Sequence, residues 1–138
     1  MGKKMKTLGS IRLVCCIAAV VIQILPLGAV LRFGVVSPDG VISFSFENYS
    51  YFDMTPFGYA MFNYMICAVL TSIAALLSLM KVITLSRRQT PVTVLSAIAL
   101  VMSLIPYIFG VFNIFTIIVS VLIAAVLALS VTMHCLHE

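Results

Sequence analysis

The stretch that decides the fold is IFTIIVSVLIAAVLALSVTM, which runs from Ile114 to Met133. None of its residues is charged, and about 20 apolar residues in a helix span the hydrocarbon core of a bilayer. Backbone polar groups in lipid must be satisfied within each segment, so an apolar run of this length predicts a helix. Three similar runs precede it. We predict four transmembrane helices over about 12–32, 56–80, 91–109 and 114–134, with a loop over 33–55.

The composition of the chain agrees with a lipid environment. Of the 138 residues, 63% are hydrophobic and only 9% are charged, and the mean hydropathy is +1.24. In an ordinary soluble domain, about a quarter of the residues are charged. The length fits one domain. We therefore predict a single all-α integral membrane domain, an antiparallel bundle of four transmembrane helices over 1–138 that contacts membrane lipid.

The basic residues predict the orientation of the bundle. Positively charged residues concentrate on the cytoplasmic side of membrane proteins. With the N-terminus inside, seven of the eight basic residues are cytoplasmic and only Arg32 lies outside, together with Asp39, Glu47 and Asp53. Both termini are then cytoplasmic, and the protein is a multi-pass component of the cell membrane. The net positive charge reflects this topology and does not indicate nucleic-acid binding.

The loop between the first two helices has the pattern of a β-hairpin. Ser37-Pro38-Asp39-Gly40 is a turn sequence, because proline presets the second position and glycine closes the turn. Ile42, Phe44 and Phe46 then alternate with smaller or polar residues, which is the period of a half-buried strand. An isolated two-stranded hairpin is marginally stable in water. We expect its apolar face to pack on the bundle or on the membrane surface.

Proline residues lie near several ends of the predicted helices. Thr55-Pro56 is typical of a helix start, with threonine as the N-cap and proline at the first helical position. Pro26 and Pro106 lie near the outer ends of the first and third helices. Proline inside a helix usually bends it, so we expect a bend at each of these two positions.

The aromatic residues are distributed on one side of this topology. All fourteen fall in the outer loop or in the outer part of a helix, whereas an ordinary membrane protein has aromatic belts at both interfaces. One interpretation is that they form an interface anchor and the core of a small outer cap. The other is that they line a groove for a lipid, a peptide or a partner helix. The candidates are Tyr49, Tyr51, Phe52, Phe57, Tyr59 and Phe62.

Two amide side chains lie at depth in the predicted spans. No charged residue falls within the four apolar runs, and this argues against proton-coupled transport. Counted from the outer helix ends, the depths of Gln23 and Asn63 differ by about 5 Å, so the two side chains could meet. They act either as interhelical hydrogen bonds that hold the bundle together or as a polar point for conduction or ligand binding.

Small side chains recur every four residues on the fourth helix. Ser120, Ala124 and Ala128 form a ridge, named here the small-residue ridge, which allows helices to approach closely. The ridge fits a compact bundle, and it fits a self-association face equally well.

No constellation for catalysis or for a cofactor is evident. His134, Cys135 and His137 at the C-terminus are predicted to lie near Cys15 and Cys16. A metal site needs three or four converging ligands, which a flexible terminus supplies poorly. We predict no catalytic residue, no metal and no cofactor.

Four helices with both termini inside and a β-containing first outer loop resemble the claudin and tetraspan architecture. The resemblance covers the topology of the whole chain but no motif. Claudins carry a signature with tryptophan and a cysteine pair in that loop, and this chain has no tryptophan. The resemblance therefore implies a shape and no functional residue.

Two functions are compatible with these patterns. The first is a non-enzymatic interaction protein, either an accessory subunit or a self-assembling component, which acts through the outer aromatic residues and the small-residue ridge. Its partner would be another protein or further copies of the same chain. The alternative is a small oligomeric transporter or channel for an uncharged or weakly polar solute, with Gln23 and Asn63 along its path.

Overall fold

The computed structural model describes residues 2–53, 61–84 and 88–136. Within them the chain forms four helices and one two-stranded sheet. In chain order the elements are α1 Gly2–Ile24, β1 Ala29–Val36, β2 Ile42–Tyr49, α2 Asn63–Thr84, α3 Thr90–Ile108 and α4 Ile114–Cys135.

Each of the four helices is long and apolar enough to cross a membrane. Their most apolar 18-residue windows have mean hydropathies between 2.0 and 2.9, and α4 has the highest value. About 20 helical residues are needed to span the hydrocarbon core, and the helices contain between 19 and 23 residues. The prediction of a mostly helical multi-pass membrane protein with a small hairpin is confirmed by these elements.

The helices form a closed ring in which neighbours run in opposite directions. α1 packs against α2 and α4, and α3 packs against the same two helices. Gly9 near the start of α1 lies against Val82 near the end of α2. Gln23 near the end of α1 donates instead to Thr71, in the first half of α2. The hairpin, the start of α2 and the connection from α3 to α4 therefore lie at one end of the bundle, named here the hairpin end.

The bounds predicted for the first helix are wrong. The helix does not cover 12–32, because it begins at Gly2, ends at Ile24 and is followed by a strand from Ala29. Proline at position 26 explains the end, since it disfavours helical geometry at the preceding residue and cannot donate to the helix ladder. Pro26 therefore ends α1 and does not bend it as predicted. Pro106 lies inside α3, two residues before its last residue.

The other helices differ less from the prediction. α3 and α4 agree with the predicted bounds within one residue at each end. α2 extends four residues beyond the predicted end, to Thr84, and it begins at Asn63 because Met61 and Phe62 are not helical. The predicted start at Thr55-Pro56 lies outside the described residues.

The hairpin is present as predicted, but its apolar face does not pack on the bundle. β1 and β2 pair antiparallel, and the amide of Gly40, at a φ of 77°, donates to the carbonyl of Ser37 at 2.9 Å to close the turn. Only the first three residues of β1, at 29–31, are buried, and β2 is exposed from Ile42 to Asn48. The apolar face therefore does not pack on the bundle, and its contact with the membrane surface, the other expected arrangement, stays a prediction. The reason is length, since strands of eight residues extend for roughly 26 Å.

Candidate binding surface at the hairpin end

The N-terminus of α4 holds the segment that joins α1 to the hairpin. Asn113 caps α4 by accepting from the amide of Thr116 at 3.0 Å, and its own amide donates to the carbonyl of Leu27 at 2.5 Å. The hydroxyl of Thr116 donates to the carbonyl of Gly28 at 2.7 Å. Non-helical backbone at membrane depth is tolerated where buried partners satisfy its polar groups. These bonds supply such partners, so the base of the hairpin is fixed to the bundle.

Two tyrosines complete this base. The hydroxyl of Tyr64 lies 3.3 Å from the carbonyl of Val30 and 3.0 Å from that of Val111, and it donates toward both. The ring of Tyr51 meets that of Tyr64 edge to face, with centroids 5.0 Å apart. Gly28 passes so close to Tyr51 that an added Cβ would lie 2.8 Å from the ring. Strand β1 therefore starts from a closely packed site.

Beyond its base the hairpin carries an exposed apolar face. Ile42, Phe44 and Phe46 alternate along β2, and their exposed fractions are 61%, 56% and 60%. Val36 pairs with Ile42, and directly paired residues of an antiparallel sheet point to the same side. We name these four side chains the apolar strip. On the opposite side, β2 carries Ser43, Ser45 and Glu47, which pair with Val35, Phe33 and Leu31 of β1, so the hairpin is a ribbon in which only strand β2 is amphipathic.

Beside the hairpin, a groove of about 580 Å³ lies between the start of α2 and the end of α3. Asn63 is a polar residue within it and is 6% exposed, and neither atom of its amide group has a hydrogen-bond partner among the described residues. The wall is otherwise mostly apolar. The groove is lined by Arg32, Met61, Phe62, Asn63, Ile66, Met102, Ile105, Phe109 and Val111.

Arg32 connects the groove with the apolar strip. Its side chain is exposed and lines the groove. Its guanidinium carbon also lies 4.6 Å from the centroid of the Phe44 ring, in the geometry of a cation–π contact. We call the groove and the apolar strip together the hairpin-end surface. It combines a large apolar area with one cation and one buried amide.

The structure does not bring Gln23 and Asn63 together. Gln23 is 0% exposed, and its amide donates to Thr71 at 3.3 Å and toward the Cys67 sulfur at 3.8 Å. Cys67 lies one turn along α2 from Asn63, and Thr71 lies two turns along it. The predicted depths assumed that α1 continues to position 32, whereas it ends at Ile24. Gln23 thus holds α1 against α2, and Asn63 faces the groove.

The predicted aromatic surface divides into buried and exposed rings. Tyr51 is buried in the core, Tyr49 is half-buried, and Phe52 and Phe62 are exposed. Phe62 lines the groove. The candidates Phe57 and Tyr59 lie outside the described residues.

The hydroxyls of Tyr49 and Tyr51 remain protonated near neutral pH. Tyr49 donates to Glu47 at 2.7 Å, and this bond raises the pKa of Tyr49 above its ordinary value. Burial raises the pKa of Tyr51 well above its usual range. These groups therefore contribute packing and hydrogen bonds, and they do not exchange protons near neutrality.

The small-residue ridge of α4 also divides. Ser120 is buried, donates to the carbonyl of Ser103 at 3.4 Å and accepts from the hydroxyl of Tyr107 at 3.3 Å. Ala124 and Ala128 are exposed on the outside of the ring. Ser120 thus packs the bundle, whereas the two alanines remain available to another helix.

Sequence reasoning missed a buried arginine. Arg12 lies just before the first apolar run, but α1 begins at Gly2, so Arg12 lies at the middle of this helix with 1% of its surface exposed. Its guanidinium donates to Gln89 at 2.8 Å and to Ser130 at 3.4 Å. Arg12 shares a helical face with Cys16, Ala19 and Gln23, all buried. The spacing of four, three and four residues between them was the signal in the sequence that Arg12 belongs to a buried helical face.

Within the described residues, no three histidine, cysteine, aspartate or glutamate side chains converge as metal ligands would. Comparison with family models, with curated proteins and with solved structures finds no match to this chain.

Proposed function

We propose that this protein is a non-enzymatic membrane component that binds another membrane protein through the apolar strip of its hairpin. In this proposal the hairpin end faces the outside of the cell membrane and both termini face the cytoplasm, in the claudin-like arrangement. The distribution of basic residues supports this orientation, because Arg32 is the only one assigned to the outer side.

The observation that carries the proposal is the exposed apolar strip on a fixed base. Val36, Ile42, Phe44 and Phe46 each expose more than half of their surface. A large exposed apolar patch marks a site of protein or membrane interaction, and this strip lies on the hairpin, outside the four helices that are long and apolar enough to span a membrane. The base of the hairpin is already ordered by the contacts of Tyr64 and Thr116. Binding therefore orders little of the chain, and this lowers its entropic cost.

A protein chain fits this ribbon better than lipid tails do. Within the described residues the sheet contains two strands, so in this part of the chain β1 and β2 each have one edge without a neighbouring strand. Such an edge pairs with an extended segment of another chain through backbone hydrogen bonds, while pockets and apolar side chains supply specificity. Lipid tails have no donors or acceptors for these bonds. The exposed Ala124 and Ala128 offer a second contact, where a partner helix can approach closely.

The geometry gives less support to the alternative of a transporter or channel. That function requires Gln23 and Asn63 to share a path. Gln23 is enclosed against Thr71 and Cys67, whereas Asn63 opens to the groove. We therefore favour the binding function.

The proposal is tested by crosslinking the tagged protein in its native membrane, extracting it gently and identifying its complexes by mass spectrometry. We expect the double variant Phe44→Ser and Phe46→Ser to lose the partner bound by the wild type. Val121→Ser is the matched control, because Val121 is 62% exposed on α4. It should retain the partner. Equal recovery of the partner with the double variant and the control would refute the proposal.

A further inference from the structure

The buried amide of Asn63 lacks the partners that such groups normally have. Buried polar atoms in folded proteins are almost always hydrogen-bonded, and an exception requires an explanation such as a bound molecule. Both the donor and the acceptor of Asn63 are buried without a partner among the described residues, and the side chain lines the groove. The site thus offers the NH2 group and the carbonyl oxygen of one amide to a ligand.

The size and the wall of the groove suit an acyl chain. Its volume of about 580 Å³ falls in the usual range of small-molecule sites, about 300–1,000 Å³. Met61, Phe62, Ile66, Met102 and Ile105 form much of its apolar wall. The two methionines are flexible and adapt to irregular ligands.

The groove is also placed where lipids lie. It is formed by the first turns of α2 and the last turns of α3, both of which are long and apolar enough to span a membrane. Phe62, Ile66 and Phe109 expose 53%, 40% and 60% of their surfaces. These side chains therefore open the groove toward the surrounding membrane, near the depth at which helices end and headgroups begin.

The positive charge of Arg32 indicates which class of lipid the groove binds. Arg32 lies at the edge of the groove and its side chain is exposed. Arginine binds phosphate oxygens through charge-assisted hydrogen bonds, and basic pockets beside membrane helices bind lipid headgroups. A cation at the edge and an amide within the groove match a phosphate, an ester carbonyl and a headgroup hydroxyl.

We propose that the groove binds one anionic glycerophospholipid. An acyl chain packs along Ile66, Met102 and Ile105, the phosphate meets Arg32, and the amide of Asn63 donates to an ester carbonyl and accepts from a headgroup hydroxyl. This lipid site goes beyond the proposed protein interaction and does not depend on it.

The test is native mass spectrometry of the purified protein with phosphatidylglycerol or with phosphatidylcholine of the same acyl chains. We expect one tightly bound phosphatidylglycerol and a preference of at least about tenfold over phosphatidylcholine, because phosphatidylcholine shares the phosphate but adds a choline cation that repels Arg32, and it has no headgroup hydroxyl for Asn63. Arg32→Gln should remove the preference. Arg88→Gln, the same change at an exposed arginine that does not line the groove, should keep it.

Filling the groove gives a second and independent readout. Ile105→Trp places a large ring in the groove and should abolish phosphatidylglycerol binding. Leu104→Trp is its control, because Leu104 is exposed and does not line the groove. Circular dichroism shows whether either variant is unfolded. If Ile105→Trp is unfolded, Asn63→Leu is used in its place. Asn63→Leu should stay folded and should not bind the lipid.

Three results would overturn the lipid site: equal binding of the two lipids, no effect of Arg32→Gln, or equal binding by the two tryptophan variants. A protein segment crosslinked into the groove in place of lipid would also overturn it. Because the measurement uses purified protein without a partner, its outcome is separate from that of the proposed protein interaction.

Discussion

Replacement of Asn63 by leucine is expected to stabilise the protein when no ligand is bound. Asn63 is 6% exposed, and neither its donor nor its acceptor is paired within the described residues. A buried polar group without a partner costs about 1–3 kcal/mol. Leucine has a similar branched shape and no polar atom, so it removes this cost. Asn63→Leu should therefore raise the free energy of unfolding by about 1–3 kcal/mol.

The same substitution at Asn113 is the matched control, and it should have the opposite sign. Asn113 accepts from Thr116 at 3.0 Å and donates to Leu27 at 2.5 Å. Loss of an N-cap costs about 0.5–2 kcal/mol, and the carbonyl of Leu27 also loses its donor. Asn113→Leu should lower the free energy of unfolding by about 1–3 kcal/mol.

Both variants are measured by titrating lipid-free protein in mixed micelles with dodecyl sulfate and following helix content by circular dichroism. Added phosphatidylglycerol should stabilise the wild type more than Asn63→Leu, because only a bound ligand uses the amide. If Asn63→Leu loses stability to the same extent as Asn113→Leu, then Asn63 holds the helices together. That result would refute the assignment of Asn63 to a ligand site.

Two further predictions concern the packing of the bundle, and the same titration measures both. Gln89→Leu removes the acceptor 2.8 Å from the buried Arg12 and should cost about 1.5–3 kcal/mol; an unchanged stability would show that Gln89 does not hold Arg12. Gly28→Ala places a Cβ 2.8 Å from the Tyr51 ring and should cost about 1–3 kcal/mol, whereas Gly34→Ala places a Cβ at an ordinary contact distance of 3.7 Å from the Phe44 ring and should change stability by less than about 0.5 kcal/mol. Equal losses for the two glycine variants would contradict the close packing at Gly28.

The helices formed from uninterrupted apolar sequence were predictable. α3 and α4 lie within one residue of the predicted bounds at each end. Their sequences are long hydrophobic runs joined by a short connection, and two antiparallel helices are the arrangement that satisfies the backbone hydrogen bonds of such runs. The error in α1 came from treating an apolar run as a helix throughout. Ala29, Val30 and Leu31 continue the apolar run of the sequence, but they form the start of strand β1. The helix has already ended, before Pro26.

The candidate site was predictable only in its parts. The alternation of Ile42, Phe44 and Phe46 indicated the ribbon, but not that its apolar face would be exposed. The groove depends on how the start of α2, the end of α3 and Arg32 meet in space, and no local pattern contains this information. The pairing of Gln23 with Thr71 likewise depends on where α1 ends.

The central claim, that the apolar strip contacts a protein, is tested most directly by photo-crosslinking in the native membrane. A photoreactive residue is placed singly at 42, 43, 44, 45 and 46. Ile42, Phe44 and Phe46 lie on the apolar side of β2, and Ser43 and Ser45 lie on the other side. We predict crosslinks to one and the same protein at 42, 44 and 46 and none at 43 and 45. Crosslinks to lipid alone at the three apolar positions, or to protein at all five positions equally, would contradict the claim.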